Sequence, residues 1–475
     1  MISVNEIVEL KIDSIAFEGR AISKLNGYVI FVSGGVPGDL VKAKIFKRKR
    51  DYAEAKVVEI VTPSLYRLEP RCGYFGICGG CRWQHLDYEE QIRFKRQHVI
   101  DAFERIGSLK IDVSETIRAE DIYEYRNKIE MTFSENPFRI LENDPVRVAV
   151  GFHSPGRYDK TIDIEHCDLA DEKVNAVINW FRNAISPDSK TRMDLGLTIY
   201  NSETHSGLLR FLTIRESSTS NELMVSVTVL EESVALEKLA AELKDELPFV
   251  STFASIVNSN RAQIATGNLW KVHFGNGYIT DKIGNYYFRI SPLSFFQTNT
   301  HQAQKLYEVV AANLSAKNKV IFDLYSGTGS ISLYLSGFSE QIYGFELVDS
   351  AVKDAEENTS LNGIKNVQFI RTDLLELFKG RDILENFAKH NLPKPDLIVL
   401  DPPRSGLHPK IAANLHLLGA ETIIYVSCNP STQARDVKEI VCHDYSPVQS
   451  QPVDMFPQTY HIENVLTLRK INDQK

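Results

Sequence analysis

The sequence predicts a multidomain α/β protein: a small N-terminal β-barrel, a central α+β domain and a C-terminal doubly wound parallel sheet. The chain has 475 residues, more than one hydrophobic core can organise, so two to four domains are expected. Short apolar runs separated by glycine turns occupy residues 1–62. From about residue 300, strand-like runs alternate with helical stretches, which indicates βαβ units. We place the domains at 1–62, 63–295 and 296–475.

The first domain has the strand spacing of a small OB-like barrel, a scaffold that often binds RNA. Its turns are predicted at Asn26-Gly27, Gly34-Gly35 and Pro37-Gly38. The chain carries a net charge of -8, yet residues 42–50 read Lys-Ala-Lys-Ile-Phe-Lys-Arg-Lys-Arg. Phosphates respond to the local field rather than to the net charge. On the charge run alone a solvated strand or loop is slightly favoured, and contact with RNA phosphates is the alternative.

The central region mixes strand-like and helical stretches without a repeat. Apolar spacing predicts helices over 88–107, 171–185 and 233–247. The region is therefore predicted to be α+β, with its topology left open.

The remaining bulk properties indicate a cytoplasmic protein. The chain is 43% hydrophobic and 24% charged, and it has no apolar run long enough to cross a bilayer. The segment that follows Met1 lacks the basic start and apolar stretch of a signal peptide. We predict no membrane association, and no obligate protein partner is evident.

The six cysteines are unevenly placed. Cys72, Cys78 and Cys81 lie close together, and Cys167 follows far downstream. In a cytoplasmic chain, clustered cysteines are more often metal ligands or catalytic thiols than disulfides. Four thiolates suffice for a tetrahedral zinc ion or a [4Fe-4S] cluster, although the spacing is irregular for a zinc ribbon.

Polar residues stand where the predicted parallel strands end, and ligands of such sheets bind beyond the carboxyl ends of the strands. Two glycines in a loop allow a close approach of the backbone to a ligand, and acids at the next strand ends can accept hydrogen bonds from ribose hydroxyls. No third glycine follows at the helix-packing position, so a ligand without pyrophosphate is favoured. The predicted cofactor residues at these strand ends are Asp323, Tyr325, Gly327, Gly329, Glu346, Asp373 and Asp401.

The fifth strand of this sheet runs into Ser427-Cys428-Asn429-Pro430, which places a thiol in the same cleft. A cysteine in this position is more readily explained as a nucleophile than as core filling. Near the C-terminus, His461 and Glu463 are candidates for a base, because residues two apart share one side of a strand.

Four motifs together resemble the RNA 5-methyluridine methyltransferases, and the resemblance covers nearly the whole chain. They are Asp-Leu-Tyr-Ser-Gly-Thr-Gly at 323–329, Asp-Pro-Pro-Arg at 401–404, Ser-Cys-Asn-Pro at 427–430 and Gln-Thr-Tyr-His-Ile-Glu at 458–463.

This resemblance implies a Rossmann-like class I methyltransferase domain that uses S-adenosylmethionine. It implies that Cys428 is the nucleophile and Glu463 the base. It also implies that Gln297, in Phe-Phe-Gln-Thr-Asn at 295–299, contacts the cofactor and that Asp401 lies against the cofactor or the target base.

The cysteine segment at 72–85 resembles the iron–sulfur segment of the branch that modifies 23S ribosomal RNA, and residues 1–62 resemble its TRAM domain. Ile164-Glu-His-Cys167 matches the segment with the fourth ligand. The resemblance thus implies a [4Fe-4S] cluster, with zinc as the alternative, and 23S rRNA as the RNA partner. Tyr125-Arg-Asn-Lys128 is a candidate for positioning RNA, with a structural role as the alternative.

The chemistry explains why a thiol is needed. Uracil C5 is a weak nucleophile, and addition of a thiolate at C6 makes C5 reactive toward a methyl sulfonium. Three alternatives stay open at this point: the same chemistry on the T-loop uridine of tRNA, amino-methylation of an RNA base, and a non-catalytic iron–sulfur RNA-binding or assembly protein.

Overall fold

The computed structural model describes residues 2–139, 148–267, 269–315, 319–380 and 383–471. The strands are β1 (Ile7–Lys11), β2 (Ser14–Ile15), β3 (Ala21–Leu25), β4 (Tyr28–Ser33), β5 (Leu40–Arg48), β6 (Tyr52–Thr62), β7 (Lys128–Ser134), β8 (Ala149–Ser154), β9 (Arg157–Asp163), β10 (Leu209–Glu216), β11 (Leu223–Val229), β12 (Thr252–Val257), β13 (Leu269–Phe274), β14 (Ile279–Ile283), β15 (Tyr286–Ile290), β16 (Val320–Leu324), β17 (Gln341–Glu346), β18 (Val367–Arg371), β19 (Leu397–Leu400), β20 (Thr422–Ser427), β21 (Tyr445–Val453) and β22 (Glu463–Lys470). The helices are α1 (Tyr88–Ala102), α2 (Glu172–Ala184), α3 (Lys190–Leu195), α4 (Ala235–Glu246), α5 (Thr300–Ala312), α6 (Ser330–Leu335), α7 (Asp349–Leu361), α8 (Leu374–Leu377), α9 (Ile383–Ala388), α10 (Pro409–Asn414) and α11 (Pro430–Ile440).

The N-terminal strands form one strongly curved sheet in the order β1-β5-β6-β4-β3-β2. Neighbours are antiparallel except β4 and β6, which run parallel. Alternate residues of β5 point inward, so that Val41, Ala43 and Ile45 are fully buried while Lys44 is exposed. The predicted N-terminal barrel is therefore confirmed.

The central strands form a seven-stranded sheet in the order β13-β12-β11-β10-β7-β8-β9. Only β11 and β12 pair in parallel. Helices α2 and α4 pack their apolar sides against this sheet, with Phe181 and Leu239 in its core. Both helices lie within the predicted ranges 171–185 and 233–247. The central region is thus α+β, as predicted.

The C-terminal sheet has the order β18-β17-β16-β19-β20-β22-β21. Its first five strands are parallel, and β22 and β21 are antiparallel. These five parallel strands lie in the segments where strands are predicted, so the doubly wound sheet is confirmed. One face packs against α5 and the β14–β15 hairpin.

The other face of this sheet is covered in part by α1, which lies more than 200 residues earlier in the chain. Val99 and Phe103 join the same buried cluster as Phe322 and Ile398. The predicted helix over 88–107 is α-helical only to Ala102 and continues as one π-helical turn, Phe103–Gly107. Helix α1, from the N-terminal third of the chain, is therefore part of the hydrophobic core of the C-terminal sheet.

In the part of the chain that the structure describes, no helix is both long enough and apolar enough to span a bilayer.

Candidate active site

The candidate site lies along the edge where β16, β17, β18, β19 and β20 end. Because these strands are parallel, the loops that follow them meet on one side of the sheet. The sequence-predicted residues Asp323, Glu346, Asp373, Asp401 and Cys428 all stand at this edge.

The loop after β16 is held by Glu346 at the end of β17. Its Oε2 accepts a hydrogen bond from the Gly327 amide at 3.0 Å, and its Oε1 accepts from the amides of Leu347 and Val348 at 2.8 Å. Gly327 has φ +54°, and a Cβ at this position would meet no atom within 4 Å. The loop is therefore open to a ligand at Gly327, with Glu346 directly beneath.

Gly329 has a different reason to be glycine. A Cβ there would lie 2.5 Å from the Phe369 ring and 3.0 Å from Ala355, and the residue has φ +77°. It is also the N-cap of α6. The close packing of helix against strand that a third glycine usually allows is thus provided by Gly329 itself.

Asp323 and Asp401 form a pair of carboxyl groups beside this loop. Asp323 is fully buried and accepts a hydrogen bond from Ser332 Oγ at 2.6 Å through Oδ2, while Oδ1 has no partner. Burial raises the pKa of Asp323 to about 6. Burial and the neighbouring Asp323 raise the pKa of Asp401 to about 7. The unpaired oxygen of Asp323 is suited to a ligand donor, since a buried acceptor without a partner is costly.

The segment with Gln297 closes the site from the side of α5. Asn127 Nδ2 donates to Gln297 O at 2.9 Å, and Thr328 Oγ1 donates to Phe295 O at 2.9 Å. This segment is thereby joined both to the central domain and to the glycine loop.

Tyr307 of α5 belongs to this site, although sequence reasoning missed it. Its hydroxyl shares a hydrogen bond of 2.7 Å with Ser330 Oγ, and it also interacts with the Gln297 side chain. Burial raises its pKa, with Asp401 and Asp323 adding to the effect. Its place on the buried face of a helix next to Phe-Phe-Gln was the available signal.

Tyr325 and Asp373 lie on the far side of the glycine loop. Tyr325 has φ +71°, and burial raises its pKa to about 12, with Asp436 and Asp373 contributing. Asp373 caps α8 by accepting from the Leu375 amide at 2.9 Å. One of its oxygens therefore has a structural task.

Cys428 and Glu463 are brought together by strand pairing. Strand β20 pairs antiparallel with β22, and Ser427 lies opposite Asn464. Cys428, the residue after Ser427, is therefore opposite Glu463, the residue before Asn464. Burial raises the pKa of the Cys428 thiol to about 12, with Glu463 and Asp401 adding to the rise and Arg404 opposing it. Burial, with Asp401 as a second cause, raises the pKa of Glu463 well above its ordinary value.

The prediction that His461 and Glu463 lie on one strand is wrong. Strand β22 begins at Glu463, and His461 lies in the preceding loop with its ring against Tyr460, the centroids 4.2 Å apart. Burial lowers the pKa of His461 to about 4, and nearby cations contribute. The imidazole is therefore neutral at physiological pH, and Glu463 is the candidate base that lies against the thiol.

The loop before Glu463 is anchored by contacts that sequence reasoning missed. Lys95 Nζ, fully buried in α1, donates to Asp454 Oδ1 at 2.5 Å and to Phe456 O at 3.0 Å. Gln458 has φ +66° and exchanges two hydrogen bonds with Gln91, at 3.1 and 3.0 Å. Residues from α1 therefore determine the path of the chain into the site.

The four clustered cysteines line one cavity of about 480 Å³, together with Arg126, Lys128 and Thr298. Burial raises the pKa of Cys72 to about 11 and of Cys81 to about 12, and it also raises those of Cys78 and Cys167. Among the described residues, no three Cys, His, Asp or Glu side chains are close enough to hold one metal ion. The structure therefore places the four predicted cysteines around one cavity.

The basic segment 42–50 covers the end of β5 and the turn that follows it. Lys42 pairs with Glu59 at 2.9 Å and Lys47 with Glu54 at 2.7 Å across the sheet. Phe46 between them is 51% exposed. The segment is therefore a solvated strand end that presents an aromatic ring among cations, which is compatible with both predicted interpretations.

Residues 87–471 match the family model described as tRNA (uracil-5-)-methyltransferase, and residues 3–58 match the TRAM domain. A protein of Chlorobaculum tepidum, described as an uncharacterised RNA methyltransferase, is 40% identical over 473 residues, covering 97% of this chain and 95% of that protein. One of Porphyromonas gingivalis with the same description is 35% identical, covering 97% and 99%. A solved structure of Pyrococcus abyssi tRNA (uracil-54, C5)-methyltransferase with S-adenosyl-L-homocysteine superposes with a TM-score of 0.73 at 24% identity, covering 97% of this chain and 100% of that one.

Proposed function

Since the chain belongs to the tRNA (uracil-5-)-methyltransferase family and carries a TRAM domain, we propose that it methylates carbon 5 of a uridine in 23S ribosomal RNA. The observation that carries the proposal is the pairing of Cys428 with Glu463 across β20 and β22, at the same edge as the glycine loop. An amino-methyltransferase needs no thiol of this kind. A non-catalytic RNA-binding protein needs neither group.

In the proposed reaction, the Cys428 thiolate adds to C6 of the uracil, and the C5–C6 double-bond electrons move toward the O4 carbonyl. S-adenosylmethionine supplies an electrophilic methyl group. Once C5 is methylated, the Glu463 carboxylate removes the C5 proton, the C5–C6 double bond re-forms and Sγ leaves C6. The cysteine is regenerated, and one proton is released for each methyl group transferred.

The same edge supplies the groups that would hold S-adenosylmethionine. Glu346 lies at the end of β17, where it could accept hydrogen bonds from ribose hydroxyls, and Gly327 leaves open space for the ligand. The Oδ1 atom of Asp323 has no hydrogen-bond donor and could accept one from the ligand. Gln297 and Asp401 both interact with Tyr307, so they lie close to the same part of the site.

The four cysteines around one cavity are proposed to hold a [4Fe-4S] cluster of structural function. The segment with Cys81 continues directly into Arg82 and Trp83, whose amides donate to Gln458 O at 2.9 and 3.0 Å. Gln458 begins the loop that leads to Glu463. A cluster at this position would therefore support the path of the catalytic loop, and the methylation chemistry itself needs no electron from it.

The choice of ribosomal RNA depends on the cysteine cluster rather than on the barrel. The structural match to the P. abyssi enzyme covers 97% of this chain, so it includes most of the barrel, and that protein is named for a transfer RNA. The presence of the barrel therefore does not separate the two substrates. This match makes the T-loop uridine of tRNA the second candidate substrate.

A covalent-trap experiment tests the proposal. The protein is incubated with S-adenosylmethionine and 5-fluorouridine-substituted 23S rRNA fragments or tRNA, and adducts are detected on denaturing gels and mapped by mass spectrometry. Fluorine at C5 cannot leave as a cation, so the reaction stalls with a methylated base attached to Cys428.

We expect an adduct with one ribosomal fragment, its absence in Cys428→Ala, and its retention in Cys442→Ala, since Cys442 is an exposed thiol on the same domain. An adduct with tRNA alone would move the assignment to the T-loop. Methylation that persists in Cys428→Ala would overturn the proposed chemistry.

A further inference from the structure

The turn between β2 and β3 of the TRAM barrel, residues 16–20, reaches the mouth of the candidate active site. It is a tight turn in which Gly19 N donates to Ala16 O at 3.0 Å and Ala16 N donates to Arg20 O at 2.8 Å. Glu18 and Gly19 have φ of +76° and +83°. Two consecutive residues in this conformation make the turn tight.

The turn contacts Tyr460, which stands three residues before Glu463. The Phe17 ring lies edge-on to the Tyr460 ring, with centroids 5.9 Å apart and planes at 79°. A Cβ on Gly19 would lie 3.4 Å from Tyr460 Cδ1 and 3.0 Å from Trp83 Nε1, so the backbone itself packs against both rings. The barrel therefore forms one wall of the pocket in which Tyr460 lies.

Tyr460 in turn contacts Arg404. Arg404 Nη2 donates to the Tyr460 hydroxyl at 3.3 Å, and the guanidinium opposes the rise in the pKa of Cys428. The other charged groups that face the thiol, Glu463 and Asp401, are acidic and act in the opposite sense. The Arg404 backbone also lies beside the segment of the nucleophile, because Nδ2 of Asn429, the residue after Cys428, donates to Arg404 O at 3.2 Å. Arg404 is therefore a cation held next to the thiol.

We propose that the 16–20 turn is a positioning element of the active site: Phe17 and Gly19 hold the Tyr460 ring, and Tyr460 holds the Arg404 guanidinium toward Cys428. The inference rests on the proposed function only in taking Cys428 as the reacting thiol. It gives the TRAM domain a task in catalysis beyond contact with RNA, because a movement of the barrel displaces the cation beside the nucleophile.

The docking of the turn is built into the fold rather than incidental. His98 of α1 donates from Nε2 to Ile15 O at 3.1 Å, and its ring meets the Phe17 ring edge-on at 5.9 Å. Ile15, Val36 and the fully buried Trp83 share one apolar cluster with which Tyr460 packs. Groups from the barrel, the cysteine segment and α1 thus converge on the same tyrosine.

The test measures how strongly Cys428 selects an anionic alkylating reagent over a neutral one. Iodoacetate and iodoacetamide are similar in size, so the ratio of their rates cancels thiol ionisation and access and reports the local charge. Rates are obtained at low salt by peptide mass spectrometry without RNA or S-adenosylmethionine. The exposed Cys442 serves as the internal reference thiol.

We expect Arg404→Gln to lower the iodoacetate-to-iodoacetamide ratio at Cys428 by about threefold or more, because a nearby positive charge is lost. Phe17→Ala and Tyr460→Phe should lower it in the same direction. Phe17→Tyr should keep the wild-type ratio because it retains the ring. Phe46→Ala is the matched control, since that ring is 51% exposed on β5 of the same barrel.

An unchanged ratio in Phe17→Ala and Tyr460→Phe, together with a lowered ratio in Arg404→Gln, would overturn the inference. An unchanged ratio in Arg404→Gln would overturn it as well, since the guanidinium would then not act on the thiol. Tyr460→Phe retains the ring that the barrel contacts, so it tests the link even if Phe17→Ala unfolds. A failure of methylation on 23S rRNA would count against the proposed substrate and leave these ratios unaffected.

Discussion

At the scale of single residues, the site places three acidic groups against one cation. Burial raises the pKa of Cys428, Glu463 and Asp401. Glu463 and Asp401 add to the rise at Cys428, Asp401 adds to the rise at Glu463, and the Arg404 guanidinium lowers the pKa of Cys428. Three such groups titrate as a coupled set rather than separately. Burial therefore favours the protonated thiol in the free enzyme, and Arg404 is a charged side chain that opposes this effect.

Replacing the candidate base should separate the two halves of the reaction. Glu463→Gln removes the group that takes the C5 proton but leaves the Cys428 thiol, so we expect turnover to fall about 100- to 10,000-fold. A methylated covalent adduct should then accumulate with ordinary, unfluorinated RNA on denaturing gels. Glu421→Gln, at an exposed position, serves as the control. Near-normal turnover in Glu463→Gln would show that another group removes the proton.

The raised pKa of Asp401 predicts a stability effect with a definite sign. Below about pH 4 the carboxyl is protonated in both the folded and the unfolded chain. Between its ordinary value of 3.8 and about 7, the unfolded chain releases the proton first, so the free energy of unfolding falls as the pH rises. Asp401→Asn removes this loss and should be more stable than wild type by about 2–4 kcal/mol at pH 8.

Urea unfolding at pH 4 and pH 8 checks the prediction, since the difference between variant and wild type should nearly vanish at the lower pH. Asp188→Asn, at an exposed site, should show no such dependence. An equal stability difference between variant and wild type at both pH values would mean that folding does not raise the pKa of Asp401. The variant should also lose activity.

At the scale of elements, the two glycines of the cofactor loop have separable tasks. Gly329→Ala must push Cβ against Phe369 in the packed helix–strand contact, so we expect a loss of about 2–4 kcal/mol in the free energy of unfolding. Gly327→Ala faces open space and should cost about 1 kcal/mol, from its left-handed backbone alone. Denaturation curves measure both.

The same pair should show the reverse order in ligand binding. In calorimetric titration with S-adenosylhomocysteine, we expect Gly327→Ala to lose more affinity for the ligand than Gly329→Ala does, relative to its loss of stability. The reason is that the new Cβ occupies the open space above Glu346. If both variants bind like wild type, the proposed position of the cofactor above this loop is wrong.

Helix α1 and the loop after β21 are joined by a buried ion pair whose loss should be costly. Lys95→Met leaves the Asp454 carboxylate buried without its cation, so we expect a loss of about 3–5 kcal/mol. Lys95→Met combined with Asp454→Asn removes the unpaired charge and should recover part of this loss. Chemical denaturation measures both, with the exposed Lys110→Met as control. Equal losses in the single and double variants would show that packing rather than charge accounts for the effect.

At the scale of the whole molecule, the three domains meet around residues 456–463. The barrel contributes the 16–20 turn, the cysteine segment contributes the amides of Arg82 and Trp83, and α1 contributes Gln91 and Lys95. A perturbation in any of these parts therefore reaches Glu463 through one short loop.

The proposed cluster leads to a prediction at this scale. Protein purified without oxygen should contain about four irons and matching sulfide per chain, with a visible charge-transfer absorption that Cys81→Ala abolishes. Because Cys81 precedes the amides that hold Gln458, its loss should also increase hydrogen exchange in residues 456–463. The exposed Cys442→Ala should change neither quantity. Purified protein with one zinc and no iron would overturn the assignment.

The sequence carries the local part of this site well. The strand-end residues Asp323, Glu346, Asp373 and Asp401 could be placed because apolar runs mark the parallel strands, and the topology of such sheets places all their carboxyl ends on one edge. The exact role of each residue could not be read in this way. Asp373 proved to cap a helix, and Gly329 proved to pack against Phe369, because both depend on neighbours that no local pattern names.

The loop that leads to Glu463 shows more clearly what the sequence could not predict. His461 and Glu463 were expected on one strand, yet β22 starts at Glu463, since the preceding residues are held by Gln91, Lys95 and Trp83 instead of by a neighbouring strand. These partners lie more than 350 residues away in the chain. Contacts of that separation leave no periodicity in the sequence around either partner.

By itself, the sequence determined the fold class, the doubly wound sheet and the cysteine that stands at its edge, because hydrophobic periodicity and turn residues are local properties of the chain. Only the tertiary structure decided that Cys428, Glu463 and Asp401 share one environment, that Arg404 acts on the Cys428 thiol, and that the barrel contacts Tyr460, the partner of Arg404, through Phe17. The physical reason is that burial and charge depend on which distant segments pack together, and packing is a property of the whole fold.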